Sequence, residues 1–193
     1  MKVIFLDHDG VICLSTEWGG RFKKQKKAGR KLSQSIESLP VAARFDNFNN
    51  KAINILNEIL EETGAEIVVS SDWKRWANVE EMGEYYELHG IKKKPIGFTK
   101  NLGECEQPQN FIWSPRWELE QSRSLEILQY LRDNSEVTHW VAVDDLNMGK
   151  IQKHETWGDM ELDWGLDNFV HTPLSREGIK QTGIKEKIVN FLK

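Results

Sequence analysis

Three short apolar runs, each followed directly by polar side chains, constrain the fold of this chain more than any other feature. The runs are Lys2–Leu6, Glu66–Val69 and His139–Val143. Each is too short for a helix and contains β-branched residues, which is typical of buried β-strands. Helical patterns separate the runs, so we expect a mainly parallel sheet covered by helices on both faces. The predicted fold class is therefore α/β, a Rossmann-like three-layer sandwich.

The segments between and after these runs carry helical patterns. Apolar residues recur at helical spacing in Asn50–Thr63, Asn78–His89, Ser122–Arg132 and Ile184–Leu192. Phe169–Val170 is predicted to form a fourth short strand. Residues 13–48 and 90–121 do not fit the alternation of strands and helices. We interpret both as insertions in one domain that spans residues 1–193, because that length fits a single hydrophobic core.

The composition argues against two classes of protein. Lysine and arginine number 26 against 30 aspartates and glutamates, a net charge of −4, so the chain is not a globally basic nucleic-acid-binding protein. No apolar run approaches the roughly 18 residues that span a bilayer, and no signal-peptide pattern precedes the first strand. We therefore expect no membrane association and a cytoplasmic location.

Six polar side chains follow the three apolar runs. They are Asp7 and Asp9 after the first, Ser70 and Ser71 after the second, and Asp144 and Asp145 after the third. Because the carboxyl ends of parallel strands meet at one edge of a sheet, we expect these groups to lie together. Four crowded carboxylates repel one another, and a divalent cation relieves the repulsion. Carboxylate oxygens are hard ligands, so the sequence predicts a Mg²⁺ site rather than a zinc site.

The first pair of acids indicates phosphoryl-transfer chemistry. Asp7, at the strand end, is available as a carboxylate nucleophile, and Asp9 can act as a general acid or base. Gly10 lets the chain turn, and the backbone amides after it are candidates for binding phosphoryl oxygens. A plain Asp-Gly turn is the alternative for this motif taken alone. The serine and aspartate pairs on the later strands favour the chemical interpretation.

Three motifs resemble those of the haloacid dehalogenase superfamily, in its phosphatase branch. Phe5–Ile12 is similar to the first motif of that superfamily, Val68–Trp73 to the second and Val141–Asp145 to the fourth. The third motif is normally a lysine, and its nearest match here is Arg123. An arginine followed by Glu-Ile at this spacing resembles a subgroup of small phage and RNA-repair-associated domains, as does the late segment Val170–Ile179. The resemblance implies the superfamily's fold with a small cap or none.

The resemblance also implies roles for individual residues. Asp7 corresponds to the nucleophile that takes the phosphoryl group. Asp9 corresponds to the acid and base that protonates the leaving group and then activates water. Ser71 resembles the residue that donates a hydrogen bond to the phosphoryl oxygens, with Ser70 as the alternative.

The cations of the site are implied in the same way. Arg123 resembles the group that stabilises the aspartyl-phosphate, and an arginine keeps the positive charge of the usual lysine. Lys74 and Lys150 are alternatives for this role. The implied Mg²⁺ ligands are Asp7, the carbonyl oxygen of Asp9, and either or both of Asp144 and Asp145.

A basic run in the first insertion bears on the substrate. It contains seven positive charges, at Arg21, Lys23, Lys24, Lys26, Lys27, Arg30 and Lys31. One interpretation is a phosphate-contacting surface beside the site, with Lys23 and Lys24 as substrate-binding residues. The other is a solvated helix face or loop. His8, between the two acids, either hydrogen-bonds substrate or packs in the core.

The sequence thus predicts an Mg²⁺-dependent phosphomonoesterase. The basic run favours a nucleotide or a phosphorylated nucleic-acid end as substrate, and sugar phosphates or a phosphoprotein are alternatives. A mutase would need a cap that excludes water, and a receiver-type switch would carry its acids in a different pattern. A catalytically silent binding module of the same fold is the remaining alternative. The sequence does not indicate an oligomeric state.

Overall fold

The computed structural model describes residues 1–102, 116–149 and 164–193 of the chain. These residues contain one sheet of five parallel strands in the order β3-β2-β1-β4-β5. The strands are β1 (Lys2–Leu6), β2 (Glu66–Val69), β3 (Pro95–Phe98), β4 (His139–Asp144) and β5 (Phe169–His171). The arrangement confirms the predicted α/β class, and β3 is an addition to the expected strands.

Helices accompany the strands in the described ranges. They are α1 (Gly20–Lys27), α2 (Val41–Arg44), α3 (Asn50–Thr63), α4 (Val79–Leu88), α5 (Arg116–Asp133) and α6 (Ile184–Phe191). The side chain of Asn49 accepts hydrogen bonds from two amides of the first turn of α3, and Gly64 ends that helix with a φ of 70°. α5 begins at Arg116 rather than at the predicted Ser122. None of these helices is long and apolar enough to cross a membrane.

Alternate residues of β1 face two different cores. Ile4 and Leu6 lie with apolar side chains of α3 and α6, whereas Val3 and Phe5 lie in a second core with Ile127 of α5. All four β1 side chains are at most 1% exposed. Burying an aliphatic or aromatic side chain of this kind contributes about 1.5–3 kcal/mol. The acids that follow β1 are therefore attached to a strand whose position is fixed by packing on both faces.

Backbone hydrogen bonds continue the sheet past the carboxyl ends of its central strands. The amide of Asp7 donates to the carbonyl of Val143 at 3.1 Å, and the amide of Ser70 donates to the carbonyl of Leu6 at 2.9 Å. The polar residues that follow β1, β2 and β4 consequently lie side by side at one edge of the sheet.

The first predicted insertion, residues 13–48, contains α1, α2 and a 3₁₀ turn at Ile36–Ser38. Arg44, at the end of α2, binds the insertion to α4. The buried guanidinium makes two hydrogen bonds of 2.7 Å to the carboxylate of Glu81 and one of 2.9 Å to the carbonyl of Trp76. Because a bidentate arginine–carboxylate pair fixes orientation as well as distance, the insertion has a defined place beside the sheet.

The interpretation of residues 90–121 as an excursion from the α/β alternation is wrong in part. Pro95–Phe98 forms the edge strand β3 and pairs with β2, and Arg116 begins α5. Residues 103–115 of this segment lie outside the described ranges.

Candidate active site

Three carboxylates converge at the carboxyl edge of the sheet. Asp7 follows β1, Asp144 ends β4, and Asp145 comes directly after it. One oxygen atom from each side chain lies within 4.8 Å of the others. Asp7 is 4% exposed and Asp144 1%, whereas Asp145 is half-buried. The structure thus brings together three of the four acids that the sequence places at this edge.

Burial and mutual repulsion oppose ionisation of these acids. Burial, followed by the charge of Asp144, raises the pKa of Asp7 well above its usual range. Burial raises the pKa of Asp144 to about 6, although the nearby Arg123 opposes the shift. Burial also raises the pKa of Asp145. A cation between the three side chains favours their charged forms and offsets the repulsion.

The donor set of this cluster fits a hard divalent cation. All three side chains offer carboxylate oxygens, and no histidine or cysteine joins them among the described residues. Oxygen ligands suit Mg²⁺ and Ca²⁺, whereas zinc favours nitrogen and sulfur. The residues present could therefore hold a magnesium ion.

Arg123 extends from α5 into the acid cluster. Its Nη1 atom lies 3.0 Å from Oδ1 of Asp7 and 2.9 Å from Oδ2 of Asp144, and it donates to the carbonyl of Ser70 at 3.0 Å. Burial alone lowers the pKa of this guanidinium, but the attraction of Asp144 and Asp7 outweighs burial and raises the pKa above its ordinary value. Arg123 is therefore a permanent buried cation in contact with the candidate nucleophile.

Lys74 does not share that position. Its ammonium group is buried in an ion pair with Glu126 of α5 and donates a hydrogen bond of 3.0 Å to the hydroxyl of Thr99. Burial lowers its pKa, and Glu126 opposes that shift. Lys150, the other alternative to Arg123, lies outside the described residues.

Asp9 is held by a tryptophan. Nε1 of Trp73 donates a hydrogen bond of 2.8 Å to Oδ2 of Asp9. The Trp73 ring stacks on both Phe45 and Phe48, with centroid distances of 4.6 and 5.2 Å. Burial raises the pKa of Asp9, and the bond from Trp73 opposes the shift. A carboxyl group with a raised pKa, held in one orientation, is suited to act as a proton donor.

Gly10 has a steric role rather than the expected role in binding phosphate. Its φ of 72° is left-handed, and a Cβ atom here would lie 2.7 Å from the side chain of Asp145. Its own amide donates to the carbonyl of Cys13 at 2.9 Å. The next three amides all donate to the carbonyl of His8, so the amides after Gly10 are used within the turn. The expectation that these amides bind phosphoryl oxygens is corrected.

His8 is likewise a packing residue in this structure. Its side chain is fully buried, and its ring contacts Phe48, Trp73 and Tyr86. Its Nε2 atom lies 2.7 Å from the hydroxyl of Tyr86. These contacts favour the packing alternative for His8. Its Nδ1 atom has no partner among the described residues, so substrate binding by His8 stays a prediction.

Ser70 and Ser71 are both buried at the end of β2. The carbonyl of Ser70 accepts a hydrogen bond from Arg123, but its hydroxyl has no partner in the part of the chain that the structure describes. A buried hydroxyl normally finds a partner. Ser70, the alternative assignment from the sequence, is therefore at least as well placed as Ser71 to bind an incoming oxygen.

The basic run divides into two groups in the structure. Arg21, Lys24 and Arg30 are partly buried, and the ammonium of Lys24 donates to Asn47 at 3.0 Å and to the hydroxyl of Tyr85 at 3.2 Å. The other members are exposed and make no ion pair among the described residues: Lys23, Lys26, Lys27 and Lys31. Arg21, near the start of α1, is close enough to Asp9 for its charge to oppose the rise in the pKa of that acid.

Several contacts that build the site join residues far apart in the chain and have no local sequence signal. Trp73 and Asp9 are 64 positions apart, and Lys74 and Glu126 are 52 apart, so no local pattern connects either pair. The same is true of Arg116, whose Nη2 atom donates to the carbonyl of Asp145 at 2.7 Å.

The chain matches one known protein family over most of its length. Residues 3–180 match the family described as HAD domain in Swiss Army Knife RNA repair proteins. The chain belongs to this family. The match covers β1, β2 and β4 and therefore every acid of the candidate site, which confirms the resemblance seen in the sequence. The searches of curated proteins and of solved structures returned no match for the chain.

Proposed function

We propose that the protein is an Mg²⁺-dependent phosphomonoester hydrolase that forms an aspartyl-phosphate on Asp7. The main support is the contact of Arg123 with both Asp7 and Asp144, within a cluster of three carboxylates. Phosphoryl transfer requires mainly positioning and positive charge around the transferred group. Membership of the HAD family supports the same class of reaction.

The metal would be held by Asp7 and Asp145, with the carbonyl oxygen of Asp9 as a third protein ligand. Asp144 already accepts two hydrogen bonds, from the amide of Leu146 at 2.8 Å and from Arg123 at 2.9 Å. We therefore assign Asp144 first to the orientation of Arg123 and Asp145 to direct ligation. Bound Mg²⁺ supplies positive charge that offsets the repulsion between the nucleophile and the phosphoryl oxygens.

Asp7 acts as the nucleophile, and Asp9 acts as the acid in the first chemical step and as the base in the second. A carboxylate oxygen of Asp7 attacks phosphorus, the bond from phosphorus to the leaving oxygen breaks, and protonated Asp9 gives its proton to that oxygen. Asp9, now a carboxylate, takes a proton from water as the water oxygen attacks the aspartyl-phosphate. The bond between phosphorus and the Asp7 oxygen breaks, inorganic phosphate leaves, and Asp7 and Asp9 return to their starting states. The raised pKa of Asp9 supports its role as the acid.

The phosphoryl oxygens need donors that are already in place. Arg123 presents a buried guanidinium beside Asp7 and donates to the carbonyl of Ser70, whose buried hydroxyl has no partner among the described residues. Donors fixed in a buried site stabilise developing charge more strongly than donors in water. We assign the phosphoryl oxygens to Arg123 and to one or both of Ser70 and Ser71.

The proposed substrate is a phosphorylated nucleic-acid end. The family takes its name from RNA repair proteins, which supports this class. The exposed lysines of α1 make no ion pair among the described residues, and they share a helix with Arg21, whose charge acts on Asp9. Such positive charge suits a polyanionic substrate.

Release of inorganic phosphate tests the proposal. The panel holds p-nitrophenyl phosphate, mononucleotides, and single-stranded oligoribonucleotides phosphorylated at the 5′ or the 3′ end, each with Mg²⁺ or with EDTA. We expect release that requires Mg²⁺ and that is fastest from an oligoribonucleotide. Absence of release from every substrate in Mg²⁺ would overturn the proposal.

A further inference from the structure

A basic pocket lies beside the loop that carries Asp9. Its volume is about 570 Å³, within the range of small-ligand sites. Three cationic side chains line it, together with one acid and two aromatic rings: Lys51, Arg176, Lys180, Glu17, Phe48 and His89. Lys51 lies in the first turn of α3, Arg176 lies two residues before a 3₁₀ turn at Gly178–Lys180, and Lys180 ends that turn.

The pocket has an excess of positive charge. Lys51, Arg176 and Lys180 make no ion pair among the described residues. The carboxylate of Glu17 accepts hydrogen bonds from Asn49 at 3.2 Å and from Thr16 at 3.3 Å, so it is already engaged. Unpaired cations around a concave surface attract an anion, and several of them attract a polyanion.

Two segments at the pocket are hydrogen-bonded to the loop that follows Asp9. The amide of Asn49 donates to the carbonyl of Ile12 at 2.8 Å, and the amide of Ile179 donates to the carbonyl of Val11 at 3.0 Å. Gly178 packs so closely here that a Cβ atom would lie 2.1 Å from the Val11 carbonyl oxygen. One short loop therefore separates the basic pocket from the acids of the candidate active site.

The pocket is also connected to the basic helix. The side chain of Asn47, which lines the pocket, accepts a hydrogen bond of 3.0 Å from Lys24 of α1. Positive charge therefore extends from α1, near Asp9, to the three cations of the pocket. A strand of nucleic acid, with one negative charge per nucleotide, is complementary to such an extended surface.

We propose that the basic pocket binds internal phosphates of a single-stranded nucleic acid whose terminal phosphate lies at Asp7. This role rests on the proposed function, because it takes the phosphorylated end as the group that enters the active site. The cations of the pocket hold the strand, and the acids at the sheet edge act on its end. The pocket thereby favours a strand over a mononucleotide, which has no internal phosphates.

Equilibrium binding of a labelled single-stranded oligoribonucleotide with a terminal phosphate tests this role. All proteins carry Asp7→Asn, so the probe is not consumed. The pocket variant is Lys51→Gln/Arg176→Gln/Lys180→Gln. The matched control Arg132→Gln/Lys187→Gln/Lys193→Gln removes the same charge from exposed positions that do not line the pocket. Thermal melting of each variant verifies that it is folded.

We expect the pocket variant to bind the probe at least about tenfold more weakly, with a salt dependence of log K less steep by about 2. The control variant should stay within about threefold of its parent, because distant surface charges are screened. Equal affinity and equal salt slope for the two triple variants would overturn the assignment. Release of phosphate from p-nitrophenyl phosphate by the wild-type protein reports on the proposed function separately, so each idea can fail alone.

Discussion

The Nη1 atom of Arg123 lies 3.0 Å from Oδ1 of Asp7, and both side chains are buried at the carboxyl edge of the sheet. The same nitrogen lies 2.9 Å from Asp144. One cation on α5 thus fixes the acid that follows β1 against the acid that ends β4. The contact links the proposed nucleophile to the group that stabilises its phosphorylated form.

Substitution of Arg123 should lower kcat, and the loss should be larger when both the positive charge and the hydrogen-bond donors of the guanidinium are removed. We expect Arg123→Gln to lower kcat about 10²–10³-fold, as loss of an oxyanion-stabilising group does. Arg123→Lys keeps the charge without the planar donor pair and should lose about tenfold. Steady-state kinetics on p-nitrophenyl phosphate measure both, with Arg132→Gln on the same helix as control. A wild-type kcat for Arg123→Gln would contradict the assigned role.

Loss of the Trp73 hydrogen bond should weaken proton transfer by Asp9. Trp73→Phe keeps a ring that can stack on Phe45 and Phe48 but removes the Nε1 donor, which lies 2.8 Å from Asp9. We expect kcat to fall about tenfold with little change in KM. Trp140→Phe is the control, because Trp140 is partly buried against the core on the other face of the sheet. Equal kcat values for the two variants would show that this bond does not position Asp9.

The ion pair between Lys74 and Glu126 should matter more for stability than exposed pairs do. The two side chains are only 5% and 8% exposed. Glu126→Gln leaves a buried ammonium without its counter-charge, so we expect the free energy of unfolding to fall by about 3 kcal/mol. Urea denaturation measures the change.

An exposed ion pair supplies the control for this prediction. Lys92 and Glu61 lie 3.1 Å apart, with side chains 63% and 72% exposed. Glu61→Gln should change stability by less than about 1 kcal/mol. Equal losses for Glu61→Gln and Glu126→Gln would argue against a special contribution from the buried pair.

His89 should make stability depend on pH in mildly acidic solution. Burial, assisted by the charge of Lys24, lowers its pKa from 6.5 to about 4 in the folded state. Between these pH values the unfolded chain binds more protons, so the contribution of His89 is complete above pH 6.5 and is lost as the pH falls towards 4. After allowance for partial exposure, we expect a loss of about 1 kcal/mol between pH 7 and pH 5.

Comparison with His89→Gln isolates this effect from the titration of the acids. The variant cannot gain a proton at this position, so its stability should decline by about 1 kcal/mol less than that of the wild type over the same interval. Urea denaturation at pH 7 and at pH 5 gives the four values required. Equal declines would show that His89 does not titrate differently in the folded and unfolded states.

The central strands could be predicted because their signal is local. Lys2–Leu6 and Glu66–Val69 each consist of a charged residue followed by an uninterrupted apolar run that ends at a polar residue, and both have the predicted bounds. The edge strand Pro95–Phe98 has no such signal, since it starts with proline and contains Gly97. Proline is tolerated at a strand start on a sheet edge, where tertiary pairing overrides weak propensity.

The helix α1 could not be predicted from periodicity. Among its residues only Gln25 is buried, so its sequence lacks an apolar stripe. Contacts with distant residues hold the helix instead, including the 2.6 Å hydrogen bond from the amide of Arg21 to Asp46. A charged run without periodicity is compatible with a loop and with a helix, and tertiary contacts decide between them.

The convergence of Asp7, Asp144 and Asp145 follows from a general rule, because parallel strands bring their carboxyl ends to one edge. The rule gives the neighbourhood of the acids but not the direction of each side chain. His8 turns into the aromatic core, and Trp73 arrives from the segment after β2 to meet Asp9. Such directions depend on packing between residues far apart in the chain.

Phosphate release in saturating Mg²⁺ by the wild type and by Asp7→Asn tests the role of Asp7 as nucleophile most directly, with Asp133→Asn as the control at an exposed acid. We expect Asp7→Asn to lose about a thousandfold or more in kcat, because the attacking carboxylate is gone, and Asp133→Asn to behave as the wild type. A kcat for Asp7→Asn within about tenfold of the wild type would contradict an aspartyl-phosphate on this residue.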